Sequence, residues 1–342
     1  MSSIPSIPRA AGAALFTMLL LVPALARADD AMRQGLERLR AEDLRVATIG
    51  YRLATGGLPI CARTRPQSGL LVHDLGQYEP AFRGDAEALF NLGHGAAIEA
   101  VVVGGPADRA GVRAGDRLVA IDGAPVVAVL SAKAKYDAIA AVQKQLRDVF
   151  AAGPVDLTLE RAGQPLRVIV VGAPACASDV QVVPGTDHNS SADGTNAIMV
   201  SALIEEAQTD SELAFLIGHE MAHNILGHPA RLQSEGVSFG IFSGIGSNAA
   251  KIRATEQDAD YFGLYLAAQA GYDTADALNF WKRYTAKHSS FLADQTHLNG
   301  GNRVRFLELV AAEIAAQRRA GAPLKPDLAR VPGLAAQARE GR

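Results

Sequence analysis

Across residues 213–226 only His219, Glu220, His223 and Asn224 are polar; everything else is Leu, Ala, Phe, Ile, Met or Gly. A helix there is apolar on nearly every side, so it has to lie in a core. At about 100° per residue the four polar side chains share one sector of it. Thr209 and Glu212 form a T-x-x-E capping box ahead of the run, and Gly227 followed by Pro229 closes it. Burying three ionisable groups on one stripe is costly without a strong partner. His219-Glu220-Met221-Ala222-His223 reads H-E-x-x-H, which offers such a partner: residues four apart share a helix face, so both imidazoles can reach one metal ion. Glu220, next to the first histidine, is placed as a general base rather than a ligand.

Two histidines leave a catalytic zinc one protein ligand short. His228 stands about 140° round the helix from His223 and beyond the glycine that ends it. The metzincin spacing needs a third histidine where Pro229 stands, which excludes that class. Glu256 is the better third ligand. A second helix is expected over 249–270, capped by Gly271, with an inward stripe of Ile252, Glu256, Ala259, Gly263, Ala267 and Ala270. Glu256 falls on that apolar face beside small residues, which lets the two helices approach closely. Asp260, one turn on, is positioned to accept the N–H of a ligating histidine.

H-E-x-x-H followed by E-x-x-A-D resembles the zinc metallopeptidase family of the CAAX prenyl endopeptidase and the heat-shock protease HtpX, a gluzincin family. Its third block, H-P-x-x-x-x-R, is similar to the segment from His297 to Arg303, with Leu298 in place of proline. The three blocks occur in order over about 190–326. The resemblance implies one zinc ion per chain held by His219, His223 and Glu256, and Glu220 as catalytic base. It also implies that His297 lies near the metal, as oxyanion stabiliser or as occupant of a resting site; Asp260 and Arg303 support the ligands.

A second resemblance covers residues 104–123, where Gly104-Gly105-Pro106-Ala107, Ala110-Gly111, Gly115-Asp116 and Asp122-Gly123 are similar to a bacterial PDZ domain. The local signals agree: a strand over 98–103, a short helix over 107–110, a strand over 117–121, a helix over 132–150, and a hairpin of 155–161 and 166–171 around Ala162-Gly163. PDZ domains take peptides by strand addition. Leu92-Gly93-His94-Gly95 is the candidate carboxylate-binding loop. Cys61 and Cys176 bracket this module and are the only cysteines; a disulfide between them would clamp its base, and free thiols are the alternative.

Residues 1–28 read as a secretory signal, with Arg9 ahead of an apolar stretch and Ala26-Arg27-Ala28 as the cleavage site; an uncleaved anchor is the alternative. Removing Arg9 and Arg27 from 33 basic residues leaves 31 against 36 acidic ones, a net charge of −5. With no basic stripe or patch, nucleic acid is excluded as a partner. The expected fold class is α+β. A helix in 29–65 packs on the catalytic domain, a PDZ domain with its flanks spans 66–175, and a mainly helical metallopeptidase domain with a small antiparallel sheet spans 176–326. A flexible tail follows over 327–342. Within the catalytic domain the run 196–200 is expected at a sheet edge, open to an extended substrate. The apolar segment 237–246 suits either a lid that touches a membrane or a buried connection. The expected activity is a zinc endopeptidase acting on exported, unfolded polypeptides in the periplasm or outside the cell, with the PDZ domain either delivering substrates by their C-termini or gating access. The alternative is a PDZ adaptor or chaperone with a latent zinc site.

Overall fold

The computed structural model describes residues 18–93, 95–127, 133–237, 247–287 and 300–340. Helix α1 (Met18–Gly56) opens the described chain and runs through the expected cleavage point. Then follow β1 (Leu70–Asp74), α2 (Arg83–Phe90), β2 (Ala96–Val101), α3 (Pro106–Arg109), β3 (Arg117–Ile121), β4 (Ala124–Pro125), α4 (Asp137–Ala152), β5 (Val155–Arg161) and β6 (Gln164–Val170). Among the described residues these strands form one antiparallel sheet in the order β1-β2-β3-β5-β6, with β4 on β3. Alternation explains β5, where Val155, Leu157 and Leu159 are fully buried. Its hairpin to β6 turns on Ala162 and Gly163, at φ of 50° and 76°, the left-handed pair that matches strand twist. Helix α4 covers the sheet with Ile139, Val142, Leu146 and Phe150, spaced along one helical stripe.

The second half contains β7 (Asp179–Val183), β8 (Ser191–Ala192), β9 (Asn196–Val200), α5 (Ser201–Glu206), α6 (Asp210–Ile225), α7 (His228–Ser234) and α8 (Ser247–Gln269). Helices α9 (Thr274–Lys287), α10 (Gly300–Arg319) and α11 (Val331–Glu340) complete it. The α+β class holds, but the small sheet is mixed: β9 is parallel to β7 and antiparallel to β8. The expectation of an antiparallel sheet is therefore corrected, and so is the edge role of residues 196–200. Asp193 accepts the amides of Thr195 and Asn196, and Gly194 adopts φ 96°. This tight turn folds Ser191 and Ala192 back onto β9, which leaves β9 central and β8 and β7 outermost.

Helix α1 ties the halves together. Leu36 packs with Tyr78, Phe90 and Leu92 near the first sheet, whereas Val46, Ile49 and Leu53 enter the core shared by α6, α8 and β9. Cys61 and Cys176 are bonded, and residues 64–67 pair antiparallel with 173–176 beside them. Both chain crossings between the halves thus lie at one clamped ribbon. The segment after Pro326 is not a loose tail: α11 buries Val331, Ala335 and Ala338, one helical stripe, against α10 and α8.

Candidate metal centre

Helix α6 starts as its cap predicts, with the Thr209 hydroxyl accepting the amide of Glu212. The Glu212 carboxylate takes the Gln208 amide and a two-pronged bond from Arg283 at 2.5 and 2.7 Å. At the other end Gly227 adopts φ 70°, but Pro229 does not end helical structure; it sits in the first turn of α7. Helix α8 crosses α6 at a glycine contact. A Cβ on Gly263 would stand 2.8 Å from the His219 nitrogen, and one on Gly218 would stand 2.9 Å from the Gly263 carbonyl oxygen. Only two glycines allow backbones this close, and the approach carries Glu256 to the histidines.

The structure brings His219, His223 and Glu256 together, with one donor atom from each lying within 4.8 Å of the others. His219 Nε2 is 3.2 Å from His223 Nε2 and 3.2 Å from Glu256 Oε2, and His223 Nε2 is 3.6 Å from Glu256 Oε1. Donors bonded to zinc at about 2.0–2.1 Å with tetrahedral angles stand about 3.3 Å apart. The two imidazole nitrogens and the Glu256 carboxylate, which turns a different oxygen to each of them, are thus close enough to share one metal ion with a position left over.

His219 Nδ1 is 2.9 Å from Asp260 Oδ1. The N–H of that nitrogen donates to the carboxylate, which leaves the Nε2 lone pair facing the cluster. Arg303 grips the same carboxylate with two nitrogens at 2.9 and 2.7 Å, and its guanidinium lies 3.6 Å from the centre of the Trp281 ring. Burial alone would raise the pKa of Asp260; the Arg303 charge and the His219 bond outweigh it and hold the carboxyl below its ordinary value. Burial likewise lowers His219, but Asp260 and Glu256 push its pKa up to about 10, so proton and metal compete for the same nitrogen. Glu220 is partly exposed on α6, one residue along from His219.

His228 was set aside by helical spacing, and as a ligand it stays aside. Its Nδ1 nevertheless lies 3.0 Å from His223 Nδ1, the ring is 1% exposed, and Asp258 lies 3.9 Å behind its Nε2. Burial and the neighbouring His223 and Arg231 push its pKa down to about 3, so the ring is neutral and its Nδ1 can accept a hydrogen bond from the Nδ1–H of His223. Helical spacing holds only along a continuous helix, and the left-handed Gly227 turns the chain back and brings the two rings edge to face. The signal in the sequence was a histidine one residue past a helix-ending glycine. Asn224, counted with the polar stripe, serves the fold instead: its amide group bonds the Gly194 nitrogen and the Ser178 hydroxyl. His297 and the segment 238–246 lie outside the described residues, as does His94. Leu92 and Gly93 lie between α2 and β2.

A His-His-Glu cluster on two closely crossed helices is thus joined to a separate antiparallel sheet. Residues 179–311 match the model of Peptidase family M48 and residues 98–147 match that of the PDZ domain. The first match covers less than half of the chain, and the second lies inside the interval bracketed by Cys61 and Cys176. The chain is similar to the mitochondrial metalloendopeptidase OMA1 of Arabidopsis thaliana, 27% identical over 128 residues, covering 32% of this chain and 26% of the relative. The chain thus spans about a quarter of that relative's length. Local likeness is found to the HtrA3 PDZ domain bound to a phage-derived ligand, at 18% identity, 33% of this chain, 89% of that one and a TM-score of 0.25. The HtrA-type protease AlgW with a decapeptide matches at 22% identity, 32% of this chain, 29% of that one and a TM-score of 0.23.

Proposed function

We propose that the chain is a zinc-dependent endopeptidase that hydrolyses peptide bonds in exported, unfolded polypeptides, with its PDZ domain recruiting substrate or gating access. The observation that carries this is the convergence of His219, His223 and Glu256 on one point, backed by the Asp260 bond to His219. A divalent metal bound there supplies Lewis acidity and a water of lowered pKa. Glu220 takes a proton from the attacking water and returns it to the leaving amine. Asp260 and Arg303 fix the ring of His219, and His228 fixes that of His223, so that each presents Nε2 to the site. The choice of zinc follows from the donor set, two imidazoles and a carboxylate with one position open. The disulfide points to an oxidising compartment outside the cytoplasm, and the leader-like N-terminus narrows this to the periplasm or beyond. Among the described residues no helix is long and apolar enough to cross a membrane.

The test is cleavage of unfolded casein by the purified chain with and without chelator, beside the Glu220→Gln variant. Chelator-sensitive cleavage that Glu220→Gln abolishes is the expected result. A zinc-loaded chain that leaves casein and a broad panel of unfolded proteins uncut would favour an adaptor with a latent site.

A further inference from the structure

A cavity of about 540 Å³ lies beside β1, walled by α4, α1 and β7. It touches every residue from 68 to 72 and every residue of β7. Successive side chains of a strand point to opposite faces, so a cavity that meets every residue in turn runs along the strand's edge. Among the described residues β1 pairs only with β2, and β7 only with β9. In each case the edge on the cavity is therefore the one without a ladder partner, a row of N–H and C=O groups suited to another strand. A PDZ groove needs only the first of these edges. Here the second comes from the sheet whose central strand, β9, packs against the histidine helix α6. Asp43 of α1 and Glu99 of β2 line the same cavity, with their carboxyl groups hydrogen-bonded to each other, and burial raises the pKa of both. A cavity with two open strand edges and a paired carboxyl group calls for an extended chain that brings a cation.

We propose that this cavity binds an extended polypeptide segment carrying a lysine or arginine, whose backbone pairs with both β1 and β7 and whose cation meets Asp43 and Glu99. The proposal rests on the reading of the chain as a peptidase served by its PDZ domain, and deepens it. Substrate held at β1 alone would only be tethered; held at β7 as well, it lies on the sheet that abuts the metal-binding helix.

The test is hydrogen exchange on the full-length Glu220→Gln chain with a short valine–threonine repeat peptide carrying one lysine, beside the same peptide with glutamate instead. With the lysine peptide, amides in 70–74 and 179–183 should both slow by about tenfold or more, while those of β9, already paired on both sides, stay unchanged. The glutamate peptide should bind about tenfold more weakly, and Glu99→Gln should erase that preference. Protection of β1 alone, protection of neither edge, or equal binding of the two peptides would overturn the proposal. Casein cleavage by the wild-type chain is scored separately. Cleavage with β7 unprotected removes this proposal and leaves the peptidase reading; protection of both edges without cleavage does the reverse.

Discussion

Gly263→Ala should damage stability and metal binding together. The added Cβ would stand 2.8 Å from the His219 nitrogen, 2.9 Å from the Gly218 carbonyl carbon and 3.0 Å from the His219 Cα, where ordinary contact begins at 3.4 Å. All three atoms are backbone, so no side-chain rotation relieves the clash, and α6 and α8 have to part by about 0.6 Å. Overpacking of this kind costs about 1–3 kcal/mol, which lowers Tm by roughly 2–10 °C for a domain of this size. The same displacement moves Glu256 off the histidines, which now stand 3.2 and 3.6 Å from its carboxylate oxygens. A displacement of about 0.6 Å exceeds the roughly 0.5 Å tolerance of a preorganised constellation, so zinc affinity should fall about tenfold or more. Thermal unfolding followed by circular dichroism and zinc competition against a fluorescent chelator read the two effects. Gly84→Ala is the control: in α2 its Cβ meets nothing within 4 Å, and it should stabilise by about 0.5–1 kcal/mol. If Gly263→Ala melts with this control and holds zinc as tightly as the wild type, close helix approach is not what assembles the site.

Three further outcomes follow from other parts of the molecule. His228→Ala removes the acceptor behind His223 and should weaken zinc binding by about 10–100-fold; unchanged affinity by chelator competition would make His228 a packing residue only. Cys61→Ser opens a loop of 115 residues and should cost up to about 4–5 kcal/mol in denaturant unfolding; a loss under 1 kcal/mol would show that packing alone holds the base of the PDZ domain. Burial raises the pKa of Asp43 from 3.8 to about 6. A raised folded-state value means that its contribution is full below about pH 4 and is lost as pH climbs through 6. Asp43→Asn, which removes one acid of the Asp43–Glu99 pair, should therefore be more stable than the wild type at pH 7 and lose that margin near pH 4; a margin independent of pH would contradict the assignment.

Much of this was legible in the sequence because the relevant signals are local. The polar stripe on an otherwise apolar run marked α6 as a core helix, and the small-residue stripe through Gly263 marked α8 as its close neighbour. Gly163 and Asp122-Gly123 turn as their residue types favour, whereas Ala162 takes a left-handed φ of 50° against its own preference. What escaped depends on contacts between distant segments or on a break in a regular ruler. His228 was measured on a helix that Gly227 had already ended. Strand β8 exists only because Asp193 and Gly194 fold two residues back onto β9, so the strand read as an edge became central. Helix α11 buries one valine and small alanines, a stripe too weakly apolar to stand out from an Ala/Arg-rich tail. The cavity between β1 and β7 belongs to no single segment.

The central claim is that His219, His223 and Glu256 together hold one zinc ion, and elemental mass spectrometry of purified full-length protein tests it most directly. The wild type and Glu220→Gln should each carry about one zinc per chain, and Glu256→Ala should retain little under the same dialysis. Near-stoichiometric zinc in a folded Glu256→Ala variant, or none in the wild type after loading, would contradict it.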